Sequence, residues 1–210
     1  MNTTNRIIRT AAIALAAAIG MGVASFPAFH QDKPPAAAPA TPPAAPEQPV
    51  PQMPPAPGEH HKWLEQLVGE WTVESEMTAA PGADAIKGAG SEAVKSIGGR
   101  WIVTELKMDI EGMGSMAAVQ ALGYDSAKGK YQGTWIDSIQ DYLWVYTGTL
   151  DETGKILTLE AEGPSMTGEG TTRYRDVITI ESELHRTLTS SAFVNGEWVH
   201  FGTSIYTKMK

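Results

Sequence analysis

From Trp71 to the C-terminus the chain alternates apolar and polar positions with a period of two. Between Arg100 and Ile110, Ile102, Leu106, Met108 and Ile110 fall on one face, and Glu105, Lys107 and Asp109 on the other. Successive side chains of a strand point to opposite sides, so this is the pattern of a strand with one buried face. Trp71 to Met77 repeats it, and Ile86 to Ile97 is a weaker, glycine-containing version. Turn signals cut the segment at Pro81-Gly82 with Asp84, Gly112-Met113-Gly114, Asp125 to Gly129, Asp151 to Gly154, and Asn195-Gly196. Asn-Gly is the strongest of these, because both positions accept positive φ. The runs between turns predict strands near 70–79, 86–97, 100–110, 115–124, 130–137, 142–150, 155–162, 170–181, 184–194 and 197–208. Only His60 to Val68 has helical spacing. Its Trp63, Leu64, Leu67 and Val68 form one apolar stripe, which predicts a short helix lidding one end of the fold.

About ten strands joined by tight turns favour an antiparallel meander. An open sheet of that size leaves two unpaired edges, and closure removes both. The expected fold is therefore all-β, a closed antiparallel up-and-down β-barrel of about ten strands with one short N-terminal helix. A two-sheet sandwich is the alternative.

Composition divides the chain. Residues 1–25 read as a secretory signal: Arg6 and Arg9 precede an Ala-rich apolar run from Thr10 to Val23, and Val23-Ala24-Ser25 offers a cleavage site before Phe26. Residues 26–58 read as a Pro/Ala-rich disordered spacer, with 11 of the chain's 14 prolines between Pro34 and Pro57. Proline fixes φ and donates no backbone hydrogen bond, so this tract builds neither helix nor sheet. As a polyproline stalk, roughly 25–30 residues at about 3.1 Å each reach on the order of 80 Å. Residues 59–210 are left for the barrel, and all six tryptophans lie there. The expected location is exported, periplasmic or extracellular, with no membrane insertion once the signal is cleaved. Retention of the signal as an inner-membrane anchor is the alternative.

The chain has no cysteine. Disulfide staples, thiol catalysis, lipid attachment through cysteine and Cys-based metal sites are excluded. The formal charge is −8, and removal of Arg6 and Arg9 with the signal makes it about −10. That balance offers no footprint for nucleic acid or anionic lipid.

The Gly69-Glu70-Trp71 motif follows the short helix and opens the first strand, and Tyr206-Thr207-Lys208 closes the last one. This pairing resembles the calycin pattern of lipocalins and fatty-acid-binding proteins. The resemblance implies that Trp71 plugs the closed end of the barrel and that Lys208 packs over it. Leu122-Gly123-Tyr124-Asp125, Tyr131, Trp135, Asp137-Ser138, Gly148 to Asp151, Arg173 and Arg175 are similar to the bacterial family called domain of unknown function 1579. That resemblance covers nearly all of residues 62–208. It implies a lipocalin-like barrel, often exported, with no established activity.

Strand parity assigns the interior. Tyr131, Gly133 and Trp135 point inward with Asp137 at the rim. Tyr174, Ile178 and Ile180 point inward, which sends Arg173, Arg175 and Val177 outward. Leu184, Leu188, Ala192 and Val194 point inward, as do Val199, Phe201 and Ile205, so His185, Trp198 and His200 face out. Tyr142, Trp144 and Tyr146 share one face, Leu143 and Val145 the other. Either one of these apolar faces is core and the other lies under a neighbouring loop, or the aromatic face is a ligand wall or a contact with a protein partner or second copy. Met108, Met113 and Met116 around a glycine turn read as core filling or as an adaptable portal. Arg173 and Arg175 either meet acidic neighbours across the sheet or clamp a carboxylate. The candidate ligand wall is Leu106, Met108, Tyr131, Trp135, Asp137, Tyr142, Trp144, Arg173 and Tyr174, around a small apolar or amphipathic molecule.

His60-His61 reads as a solvated pair. Haem through His185 or His200 is disfavoured by their outward parity, so no cofactor is expected. Gly163-Pro164-Ser165-Met166-Thr167 breaks the nucleophile-elbow motif at its last position, and neither Gly129-Lys130 nor Gly154-Lys155 has the upstream glycine of a phosphate loop. An enzyme built on Asp137, Arg173 and nearby tyrosines is a third reading.

Overall fold

The computed structural model describes residues 55–78, 83–166 and 168–210. The signal and most of the proline tract lie outside the described residues. Helix α1 (Glu59–Leu64) and a 3-10 turn (Glu65–Leu67) precede ten strands. These are β1 (Gly69–Thr78), β2 (Ala85–Ile97), β3 (Trp101–Ile110), β4 (Gly114–Asp125), β5 (Lys130–Asp137), β6 (Trp144–Leu150), β7 (Ile156–Pro164), β8 (Thr171–Ile180), β9 (His185–Val194) and β10 (Glu197–Lys208). Each strand pairs antiparallel with its sequence neighbours, and β1 pairs with β10 to close the barrel. The meander and its closure follow the alternation and turn signals; a sandwich is ruled out.

The turns form for the reasons their residues give. Gly129, Gly154 and Gly196 have φ of 65°, 69° and 91°, and Asn195 has φ of 51°, the left-handed values that glycine and asparagine accept. Period-two burial runs along β3, where Ile102, Thr104, Leu106, Met108 and Ile110 are buried and every second residue faces outward. The core is the barrel interior plus the buried face of the helical segment, where Trp63 and Leu64 of the helix and Leu67 of the 3-10 turn join the same cluster.

β10 departs from simple alternation. His200 pairs with Ser191 and Gly202 with Ser190, so Phe201 is an extra residue in the ladder. A bulge of this kind changes which face the following residues occupy. Val199 pairs with the buried Ala192 before it, and Tyr206 is buried after it. Ile205, expected inside, is therefore on the outer face and 50% exposed. Leu184 and Val194 are also exposed rather than inward. Leu184 lies in the turn before β9, and Val194 ends that strand beside the Asn195-Gly196 turn, where parity carries no burial.

Candidate functional site

One end of the barrel is plugged. Trp71 is fully buried, and its Nε1 donates to the Leu67 carbonyl at 2.9 Å. Lys208 pairs with Trp71 across the β1–β10 ladder, and its Nζ lies 5.1 Å from the centre of the ring. A Cβ at Gly69 would stand 2.7 Å from Lys208 Cε, and Gly69 has φ of +133°. Glycine is therefore required for the lysine to lie across the tryptophan. This is the arrangement the calycin pattern implies. Trp63 Nε1 donates to the Gly154 carbonyl at 2.8 Å and ties the helix to the β6–β7 turn.

His60 stacks on Tyr124 with ring centres 4.2 Å apart, and Tyr124 meets Tyr131 edge-on at 5.1 Å. Burial pushes the Tyr131 phenol far above its usual value. Tyr131 thus belongs to the plug and not to a ligand wall. The histidines are not a solvated pair either. His61 is 5% exposed, and its Nδ1 accepts from the Gly58 amide at 3.1 Å.

Above the plug lies a cavity of about 540 Å³. Its β3–β4 wall is mostly apolar, with Leu106, Met108, Ile110 and Met116 beside Gln120. Facing it are Trp135 on β5, Trp144 and Tyr146 on β6, and Tyr174 on β8. Trp144 and Tyr174 meet edge-on at 4.9 Å. A Cβ at Gly163 would stand 2.2 Å from the Trp144 ring, so the bare glycine makes the ring's seat. Asp137 sits at the open end. Its carboxylate accepts from Trp135 Nε1 at 3.0 Å, from Gln140 Nε2 at 2.7 Å, and from the amides of Ile139 and Gln140.

Two further residues of the proposed set, Tyr142 and Arg173, stand elsewhere. Tyr142 precedes β6 and lies outside the lining. Its hydroxyl donates to the Glu162 carbonyl at 3.0 Å and its ring abuts Trp144. Arg173 is on the outer surface, over the Phe193 ring at 4.1 Å. Arg175 stands beside it over Trp198 at 3.9 Å and bonds Glu160. The arginine pair meets acid and aromatic neighbours, as outward parity requires, so Asp137 and Arg173 do not form one site. Met113 is exposed at its turn. The Tyr142/Trp144/Tyr146 face is not a contact surface: Tyr146 is buried and Trp144 lines the cavity, while Leu143 (56%) and Val145 (59%) are the exposed pair.

The interior also holds polar groups that the sequence reading passed over. Glu92 on β2 and Arg186 on β9 form an ion pair with both side chains 6% exposed. Arg186 lies over the Trp71 and Tyr206 rings at 4.6 and 4.1 Å. Burial pushes the Glu92 carboxyl above its usual value, and Arg186 opposes that shift. Asp176 on β8 accepts from Tyr146 at 2.9 Å and from Ser190 at 2.6 Å. Burial raises its pKa, and those two hydrogen bonds pull it back down. Both Asp176 and Arg186 were visible as parity: Asp176 shares the face of Tyr174 and Ile178, and Arg186 that of Leu188 and Ala192. A charged type on an inward position was the signal. Among the described residues, no three His, Asp or Glu are close enough to hold a metal ion.

A family model described as "Protein of unknown function (DUF1579)" matches residues 56–208. No curated protein sequence matches the chain. Among solved structures, Rv2717c from M. tuberculosis aligns with a TM-score of 0.57 at 12% identity, over 73% of this chain and 99% of that one. The S-type phycobiliprotein lyase CPES from Guillardia theta aligns with a TM-score of 0.51 at 12% identity, over 71% of this chain and 92% of that one. At such identity these likenesses concern the fold.

Proposed function

The chain belongs to the family described as protein of unknown function DUF1579, and from that premise we propose that it is an exported barrel holding one small apolar or amphipathic molecule in its interior. The observation that carries this reading is the cavity: about 540 Å³, above the roughly 300 Å³ at which ligand pockets begin. It is plugged at the helix end and walled by methionine, leucine, isoleucine and aromatic rings. A core needed only for stability would fill that space with side chains. Export is supported by Arg6, Arg9 and the apolar run to Val23, and the proline tract then suits a spacer.

The test is to purify the protein from its native envelope, extract it with organic solvent and identify bound small molecules by mass spectrometry. A fluorescent apolar dye is titrated into the stripped protein in parallel. A stoichiometric co-purifying molecule that displaces the dye is expected. A protein that yields no such molecule and takes up no dye overturns the reading. The mass of the mature chain tests export, with cleavage expected near Ser25.

A second reading rests on a separate observation. Val119 on β4, Ile136 on β5 and Val145 on β6 are exposed on the outer face, with Val119 opposite Ile136 in the ladder. Three apolar residues on adjacent strands suit a protein contact. A monomer that captures no envelope protein retires this reading, and Val145→Lys is the variant that separates it from cavity binding.

A further inference from the structure

The cavity's charges are unbalanced. Its lining holds three carboxylates, Glu92, Asp137 and Asp176, against one guanidinium, Arg186. Arg186 is ion-paired with Glu92 through one terminal nitrogen and sandwiched by Trp71 and Tyr206, while its buried Nε has no hydrogen-bond partner among the described residues. Asp137 is held at the open end by four hydrogen bonds. Asp176 differs from both. It faces the interior, and among the described residues only the hydroxyls of Tyr146 and Ser190 bond its oxygens. No ion pair involves it among the described residues.

The polar groups around Asp176 form a band. Asp176 pairs with Ser190, Ser190 with Gly202, Ser204 with Ser75, across β8, β9, β10 and β1. Ser75 is 6% exposed, lines the same cavity, and its Oγ makes no hydrogen bond among the described residues. A buried hydroxyl without a partner is unfavourable unless a ligand supplies one. The rings of Trp144, Tyr146 and Tyr174 line the same space, and their faces attract cations. The opposite wall is apolar over Leu106, Met108, Ile110 and Met116, with Gln120 on β4 as its polar member, and it carries no charge.

Taking the cavity as a ligand site, as the reading above does, we propose that its ligand is a cationic amphiphile. An ammonium head sits against the Asp176 carboxylate between the serine band and the aromatic rings, and an apolar tail lies along the β3–β4 wall. The ammonium supplies the missing positive charge, and Ser75 Oγ at the far end of the band is left to a second polar group of the ligand. A carboxylate head meets the opposite situation. The one interior cation is already paired, and an added anion stands near Asp176 in a medium that screens poorly. Desolvation raises the Asp176 pKa, the behaviour of a buried acid that lacks a counter-charge.

The test compares three probes of equal tail length, decylammonium, decanol and decanoate, by calorimetry on the full chain at pH 7. Decylammonium is expected to bind at least about tenfold tighter than decanoate. In Asp176→Asn, the ammonium is expected to lose about tenfold while decanol is unchanged. Decanoate binding as tightly as the ammonium, or an ammonium preference that survives Asp176→Asn, overturns the cationic head while leaving a ligand-binding barrel. Failure of all three probes to bind overturns both. The ranking in the parent protein decides the matter even where the variant fails to fold.

Discussion

Arg186 lies between two aromatic rings at the floor of the cavity, with Glu92 as its ionic partner. Removing one member of a buried pair leaves an uncompensated charge, whereas replacing both with apolar groups can be neutral. Arg186→Met is expected to destabilise by about 3–5 kcal/mol in denaturant unfolding, and Glu92→Leu with Arg186→Met to recover most of that. Asp176 makes a pH prediction. Burial raises its pKa in the folded chain, so the folded state holds this proton more tightly than the unfolded state. The resulting stability is full below the unfolded value near pH 4 and is lost as pH rises through the raised folded value. Glu92 acts in the same direction. Asp125, lowered by Lys128, and Asp151, lowered by Thr153, act with the opposite sign and only at more acid pH. Thermal midpoints measured upward from pH 4 are expected to fall, and Asp176→Asn to fall less steeply. An identical slope in the variant contradicts the assignment. Parity made both residues legible as inward, yet their charge argued for the surface, and a single sequence offers no way to weigh one against the other.

At the scale of elements, β3 follows its own pattern and β10 does not. The turn residues of β9–β10 and the alternation of β3 are local properties, fixed by φ preference and by the period of the side chains. The bulge at Phe201 is not local. It re-registers β10 between β9 and β1, and the mid-strand Gly202 beside it is its one local trace, which marks an irregularity without saying how the register shifts. That is why Ile205 was expected inside and stands outside. β2 shows the opposite case, where glycine marks an approach of backbones that the sequence reports only as a weak strand. A Cβ at Gly90 would lie 1.9 Å from the Lys107 carbonyl oxygen and 2.8 Å from Met108 Cα. Neither neighbour is a flexible side-chain end, so Gly90→Ala must shift β2 against β3. A loss of about 1–3 kcal/mol or more is expected in denaturant unfolding, with the adjacent Met108 wall of the cavity disturbed. An alanine variant as stable as the parent refutes the close approach.

At the scale of the molecule, the two ends of the barrel differ. The helix end is a closed stack of rings and aliphatic side chains, and the other end carries the Asp137 turn and the cavity opening. Trp63 links the helix to the β6–β7 turn through its indole donor and is buried. Trp63→Ala is expected to lower stability by about 3–5 kcal/mol while leaving probe affinity within about twofold at a temperature where the variant stays folded. A proportionate loss of probe binding would mean that the plug is part of the site. Plug and cavity share one set of strands but draw on different layers of them, so they separate under mutation.

The alternation of apolar and polar residues, the glycine turns and the Gly69-Glu70-Trp71 opening determined an all-β meander, its closed end and the side of most strands that faces inward. These follow from side-chain period and backbone preference, which act within a few residues. Tertiary structure alone decided that the interior keeps about 540 Å³ open, that Tyr131 serves the plug, and that Glu92 finds Arg186 94 positions away. Volume and charge pairing depend on which side chains meet across the barrel, and no stretch of sequence contains that distance.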